Sequence, residues 1–324
     1  MELPDAASSL PEIDRSFYAP PGEVADWRLA LMYDAAVGAG LLDALPASPA
    51  QLSAVLGLEA HAVRVVLDAL VTWGVVQPGQ NGRYALGRDA PDQDQAAVIR
   101  HHARAVRRWS ALIDDRLRGV DDNAAAWRPD AAQRALWLRA LAVFSRRWIP
   151  AAVDTCLALA PHTSSVLDIG GGHGEYAREF ARRGLRAVLQ DTPETIEMLQ
   201  SEGWLHGSGV ELFPGDFFAT LPAEKFDLVV CAGVTYTFGA QRNLELFQQV
   251  HSVLAPGGVL AIQTFLRGDS SVGSIFAMQM LLVGTDADVH SEEEYRSWLK
   301  AAAFGSVQVR VAGERPNALI FAVP

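Results

Sequence analysis

Along the first half of the chain, apolar residues recur on helical faces. From Val24 to Leu45 the positions Leu29, Met32, Tyr33, Ala36, Val37 and Leu41 predict one or two helices, ended by Gly40 and Pro46. Ser48-Pro49-Ala50-Gln51 is a capped helix start and Gly57 a turn. Glu59 to Trp73 is a second helix, with Val63, Val66, Leu67 and Leu70 on one face. Val75-Val76-Gln77 and Arg83 to Leu86 flank Pro78-Gly79-Gln80-Asn81-Gly82, a hairpin signal, so this stretch reads as a winged helix. Asp92 to Leu159 is helical in pattern, broken near Gly119 to Asn123 and at Pro129 and Pro150. After Pro161 the texture changes. Apolar runs at Ser165 to Ile169, Arg186 to Gln190, Val210 to Phe213, Phe226 to Ala232 and Val259 to Thr264 alternate with helical segments at Tyr176 to Arg183, Thr192 to Glu202 and Gln241 to Leu254. That alternation predicts a doubly wound, mostly parallel sheet covered on both faces, with ligands at the carboxyl ends of its strands. Val307 to Val311 and Ala318 to Val323 read as an antiparallel hairpin on its edge.

A length of 324 residues suits two domains, here residues 1–155 and 156–324. Half of the residues are hydrophobic and 20% are charged, so only the first twenty or so look loose. The net charge of -11 repels phosphate backbones, and the outer face of the Glu59 to Trp73 helix offers Glu59, His61, Arg64 and Asp68, close to neutral. No nucleic-acid partner is therefore expected, and a DNA-binding regulator stays only as an alternative reading of the winged helix. Arg100, Arg104, Arg107 and Arg108, with His101 and His102, read as a solvated helix face. Cys156 and Cys231 sit in apolar stretches without metal or disulfide spacing, as buried thiols of a reducing cytoplasm do. No long apolar run or basic leader is seen, so a cytoplasmic, membrane-free protein is expected.

The densest chemical signal is Val166-Leu167-Asp168-Ile169-Gly170-Gly171-Gly172-His173-Gly174-Glu175-Tyr176, a buried strand that runs into a glycine turn and then a helix. Gly170, Gly172 and Gly174 let the backbone approach a ligand and take positive φ. The spacing GxGxG differs from the GxGxxG of dinucleotide sites, and Asp168 precedes the first glycine. Asp191 closes the next strand, where a carboxylate can accept two ribose hydroxyls. Asp216 and Phe217 follow the third, where an acid and a ring can grip an adenine.

These residues resemble the class I methyltransferases. The winged-helix and helical first half is similar to that of the small-molecule O-methyltransferase family, and Leu254-Ala255-Pro256-Gly257-Gly258 and Ala303-Phe304 extend the likeness over most of the chain. The resemblance implies a Rossmann-like domain behind an N-terminal all-α/winged-helix dimerisation and lid domain. It implies S-adenosylmethionine as cofactor, held by Asp168, Gly170, Gly172, Gly174, Asp191, Asp216, Phe217 and Ala232. It also implies a homodimer joined through the N-terminal domains.

The chain departs from that family where members that methylate phenols carry His-Asp-Trp, the histidine acting as base. Here the residues are Val234-Thr235-Tyr236-Thr237-Phe238, with Tyr236 in the histidine's place, and Gln263 stands where a supporting glutamate is common. A phenol, with a reference pKa of about 10, is a poor base at neutral pH. Tyr236, Thr235 and His290 are the candidate catalytic or orienting residues. Phe144, Arg147, Trp148, Met278, Gln279 and Leu282, with Tyr236 and His290, are the candidate acceptor contacts. A metal would want a second histidine near Tyr236, so none is expected. The expected reaction is O-, N- or C-methylation of a small, aromatic or polycyclic specialised metabolite, driven by proximity and orientation. The alternative is a non-methylating reaction of the same fold, a cyclisation or similar rearrangement that retains the cofactor.

Overall fold

The structure is a computed structural model that describes residues 27–120, 129–284, 286–311 and 318–324. The loose first twenty residues, the helix start at Val24 and most of the break near Gly119 to Asn123 lie outside them. The described chain packs as two compact units, divided between residues 111 and 112. That division falls earlier in the chain than residue 155.

In the smaller unit, α1 (Trp27–Gly38), α2 (Pro49–Leu56) and α3 (Ala60–Thr72) are followed by the antiparallel pair β1 (Val76–Pro78) and β2 (Tyr84–Leu86). Ser48 and Gln51 form a reciprocal capping box at the start of α2, and Gly57 ends it at φ 70°. Leu52, Val63, Leu67 and Leu70 are buried together. α4 (Gln93–Leu117) carries the arginines expected on a solvated face, and three of them turn inward instead. Asp34 of α1 is 8% exposed and is met by Arg100 at 3.0 Å, Arg104 at 3.7 Å and Arg107. A buried carboxylate is tolerated only when paired, and those pairings bind α4 to α1. Burial pushes His101 on the same helix down to about 4.

In the larger unit, α5 (Ala131–Ser145) and α6 (Ile149–Leu159) precede a seven-stranded sheet of β3 (Ser165–Ile169), β4 (Arg186–Asp191), β5 (Glu211–Pro214), β6 (Phe226–Ala232), β7 (Leu254–Thr264), β8 (Ser306–Val311) and β9 (Ala318–Val323). The sheet order is β5-β4-β3-β6-β7-β9-β8, parallel through β7 and antiparallel at β9 and β8. α7 (Glu175–Arg182), α8 (Pro193–Ser201), α9 (Ala240–Val253), α10 (Ser271–Leu281) and α11 (Glu292–Ala301) complete it. Val166, Leu167, Asp168 and Ile169 are all buried, the mark of a strand covered on both faces. Ile149, Val153 and Cys156 of α6 share a core with Phe180, Leu189 and Leu228, which draws that helix into the sheet unit. Each such side chain contributes about 1.5–3 kcal/mol on burial. Because β4 lies on one side of β3 and β6 on the other, the strand order reverses at β3, where an open sheet of this kind forms its ligand crevice.

Candidate functional site

β3 enters the crevice and breaks into the glycine turn. Gly170 has φ 65°, and a Cβ there would stand 2.7 Å from Val234 Cγ2. Gly174, at φ 76°, would place one 2.8 Å from Leu205. Both positions therefore require glycine for space as well as for conformation. Asp168, 1% exposed, lies beneath this turn. Its Oδ2 accepts the Ala177 N–H at 3.2 Å, whereas Oδ1 is buried with no partner among the described residues. Burial, against that one hydrogen bond, pushes its carboxyl up to about 7.

β4 delivers Asp191 to the same turn. Its Oδ2 accepts the Gly172 N–H at 2.9 Å and its Oδ1 the Thr192 N–H at 2.7 Å, so the carboxylate faces the glycine backbone. Asp216, after β5, is exposed and accepts the Phe218 N–H at 2.9 Å. The Phe217 ring approaches within 3.6 Å of the Cβ position of Gly170 and stacks into a cluster with Phe218 and Phe238, at 4.7 and 6.1 Å. Asp168, Asp191 and the Phe217 ring, all predicted for the cofactor, thus meet at one turn, whereas Asp216 bonds only its own loop and Ala232 is half-buried at the end of β6.

His173 within the turn is neutral, its pKa pushed down to about 4 by burial and by Arg146 and Arg178. Its Nδ1 accepts the Glu175 N–H at 3.1 Å, which leaves the proton on Nε2, 3.1 Å from Ser145 Oγ. The turn is thereby fastened to α5.

The residues after β6 are disposed differently. Val234 leads into a 3-10 turn over Thr235–Thr237. The Tyr236 ring packs edge-on against Phe276 at 4.7 Å and stacks over Phe265 at 6.4 Å. Its hydroxyl reaches within 2.8 Å of the Cβ position of Gly233. Burial drives its pKa upward, away from use as a base. Thr235 points the other way, fully buried, its Oγ1 2.6 Å from the Tyr295 hydroxyl. His290 is 5% exposed, and its Nε2 donates to the Phe238 carbonyl at 2.8 Å. Asn243 donates through Nδ2 to the Thr235 and Phe238 carbonyls, both at 2.9 Å. Of the three candidate catalytic residues, only Tyr236 keeps its functional group out of this interior network.

Among the acceptor candidates, Phe144 and Trp148 are half-buried, and Arg147 is exposed with its guanidinium 5.1 Å over the Trp148 ring. Met278 is exposed, Gln279 half-buried, and Leu282 buried in the interior. The rings against Tyr236, Phe265 and Phe276, carry no motif in the sequence that would mark them. Among the described residues no helix is long and apolar enough to cross a membrane, and no group of three His, Cys, Asp or Glu could hold a metal.

Residues 139–309 match the family described as "Methyltransferase domain". The 3-amino-4-hydroxybenzoate 4-O-methyltransferase of Streptomyces cremeus is 32% identical over 149 residues, a match covering 43% of this chain and 40% of that enzyme. The chain spans less than half the length of the first curated relatives it matches. Among solved structures, PigF with SAH superimposes with a TM-score of 0.74 at 19% identity, over 92% of this chain and 96% of that one. Human N-acetylserotonin methyltransferase in complex with SAM gives 0.68 at 20% identity, over 92% and 94%. At those identities the structures speak for the fold.

Proposed function

The chain belongs to the methyltransferase-domain family, and from that premise we propose that it transfers a methyl group from S-adenosylmethionine to a small aromatic or polycyclic metabolite. The observation that carries this reading is the glycine turn bracketed by Asp168 and Asp191, one carboxylate turned onto the Gly172 N–H and the other with a buried oxygen unmet among the described residues. The residues fit the cofactor. Asp191 would hold the ribose hydroxyls, Phe217 and Asp216 the adenine, and the glycine backbone the methionine chain. The solved relatives whose titles carry SAH and SAM support the choice of ligand. When bound, the cofactor supplies an electrophilic methyl group on a sulfonium.

The chain's own residues then do the rest. The Tyr236 phenol, held protonated by burial, donates a hydrogen bond that orients the acceptor and does not take its proton. Phe265 and Phe276 wall off water around that phenol. The Thr235 hydroxyl and His290 Nε2 are committed to Tyr295 and to the Phe238 carbonyl. The acceptor must therefore bring its own nucleophilicity, as an amine, an enol, an electron-rich ring carbon or an acidic phenol. The name of the Streptomyces cremeus relative, an aminohydroxybenzoate O-methyltransferase, favours an aromatic acceptor of the natural-product type. A homodimer joined through the N-terminal unit, in the cytoplasm, belongs to the same proposal. On the outer face of α3, Arg64 is paired with Asp68 at 2.8 Å and Asp68 also receives the Tyr84 hydroxyl, which leaves little positive charge for a duplex.

Calorimetric titration with S-adenosylmethionine and S-adenosylhomocysteine is the test, followed by acceptor screening by mass spectrometry. Saturable binding and one S-adenosylhomocysteine released per turnover are expected. Turnover without that release would replace methyl transfer with the rearrangement reading.

A further inference from the structure

The turn over residues 146–148, which joins α5 to α6, is fastened beside the glycine turn: Ser145 meets His173 at 3.1 Å and Arg146 meets Glu175 at 3.1 Å. The arginines around it are paired with acids. Arg146 and Arg178 share Glu175, Arg182 holds Glu179 at 2.7 Å, and Arg183 holds both Glu179 and Asp154. Arg147 differs. It is exposed, has no carboxylate partner among the described residues, and rests its guanidinium 5.1 Å over the Trp148 ring. In that same ring the indole Nε1–H is buried with no acceptor among the described residues. A cation lying on an indole face is held less firmly than one in a bidentate pair with a carboxylate, the partner for which the planar guanidinium fork is shaped. An unmatched cation beside an unmet buried donor calls for a ligand that brings anionic oxygen.

Resting on the methyl-transfer reading above, we propose that the acceptor is an aromatic carboxylic acid, its carboxylate taken by the Arg147 guanidinium and its ring laid against Trp148. The Trp148 indole N–H and the Tyr236 phenol, kept protonated by burial, are further donors for the oxygens of such a molecule. All three groups donate and none accepts a proton, so a neutral aromatic would leave the guanidinium where it now lies. The positive sulfonium of the cofactor favours the same anionic class.

The test is calorimetric titration of protein saturated with S-adenosylhomocysteine, using a panel of hydroxybenzoates, aminobenzoates and hydroxynaphthoates, each beside its methyl ester. The ester keeps the ring and removes the charge. Wild-type protein is expected to bind at least one acid about tenfold or more tighter than its ester. Arg147→Gln should erase that preference by weakening the acid, while the ester and S-adenosylhomocysteine bind as before. Arg147→Lys keeps the charge without the fork and should restore part of the preference. The proposal is overturned if wild-type protein binds no acid of the panel more tightly than its ester, or if Arg147→Gln weakens acid and ester alike. Weakening of S-adenosylhomocysteine itself by Arg147→Gln would assign the guanidinium to the cofactor's own carboxylate and overturn it too. Each of these outcomes leaves the cofactor site standing. Wild-type protein that does not bind S-adenosylhomocysteine at all would instead remove the methyl-transfer reading, and this acceptor with it. Arg147 lies on the surface, so both variants leave the core packing untouched and stay folded.

Discussion

Two turns stand at the carboxyl ends of the neighbouring strands β3 and β6, and they treat their polar groups in opposite ways. The glycine turn after β3 leaves a buried acceptor open, since Asp168 Oδ1 has no partner among the described residues, while Asp191 accepts the Gly172 N–H at the same turn. The Thr235–Thr237 turn after β6 closes most of its own. Thr235 is bonded to Tyr295, the Thr235 and Phe238 carbonyls receive Asn243, His290 donates to Phe238, and the Tyr236 carbonyl accepts the Asp288 N–H at 3.0 Å. Buried polar groups are ordinarily satisfied, so under the proposed function the open Asp168 oxygen is where a polar ligand would go, while the second turn is held rigid by its bonds, with Asn243 Oδ1 its one acceptor unmet among the described residues. On the proposed function, one turn binds and the other shapes.

The comparison breaks most readily at Asp191. Asp191→Ala should weaken S-adenosylmethionine by about a hundredfold, or about 2.7 kcal/mol, as expected for two hydrogen bonds from ribose hydroxyls to a charged acceptor. Calorimetry would read this directly. A variant that bound as well as wild type would remove the glycine turn from cofactor recognition.

The second turn should answer in stability. The fully buried Tyr295 hydroxyl lies 2.6 Å from Thr235 Oγ1 and 3.1 Å from Thr264 Oγ1. Tyr295→Phe leaves those hydroxyls under-partnered and should cost about 1–3 kcal/mol of unfolding free energy. Denaturant titration gives that cost, and cofactor affinity should stay where it was. A large loss of affinity at constant stability would show that this turn also touches the ligand.

Tyr236→Phe separates orientation from chemistry. If the phenol only orients the acceptor, kcat/KM falls by no more than about tenfold, the value of one neutral hydrogen bond, and the pH profile keeps its shape. Loss of several orders of magnitude, with a vanished pH limb, would make Tyr236 the base.

How far these contrasts were legible in the sequence follows from what each rests on. Gly170 and Gly174 announce themselves because their φ values and the neighbours at Val234 and Leu205 admit no Cβ, and Asp168 and Asp191 because strand ends are legible from apolar runs. The mostly parallel sheet follows from the same alternation, whereas its strand order appears only in the fold. The inward turn of Thr235 and His290 was not legible, because it depends on Tyr295, Asn243 and Phe238, which come from distant segments. The pairing of Arg100, Arg104 and Arg107 is hidden for the same reason: their partner, Asp34, lies far back in the chain in α1. Phe276 carries no spacing of its own, and only packing brings it to Tyr236.

The smallest effect tests the bond that fastens the glycine turn to α5. His173 keeps its proton on Nε2 facing Ser145, whose own hydroxyl donates to the Leu141 carbonyl at 2.9 Å. Ser145→Ala leaves that imidazole N–H under-partnered at a cost of about 1 kcal/mol, so the melting temperature should drop slightly and cofactor affinity should hold within a few-fold. The pH dependence has a fixed sign. His173 is pushed down to about 4, below its ordinary 6.5, so its neutral form contributes stability above 6.5 that is lost as pH falls toward 4. His173→Gln should flatten that acid loss. If Ser145→Ala instead abolished cofactor binding, fastening to α5 would set the geometry of the glycine turn, and the open turn would owe its shape to a closed one.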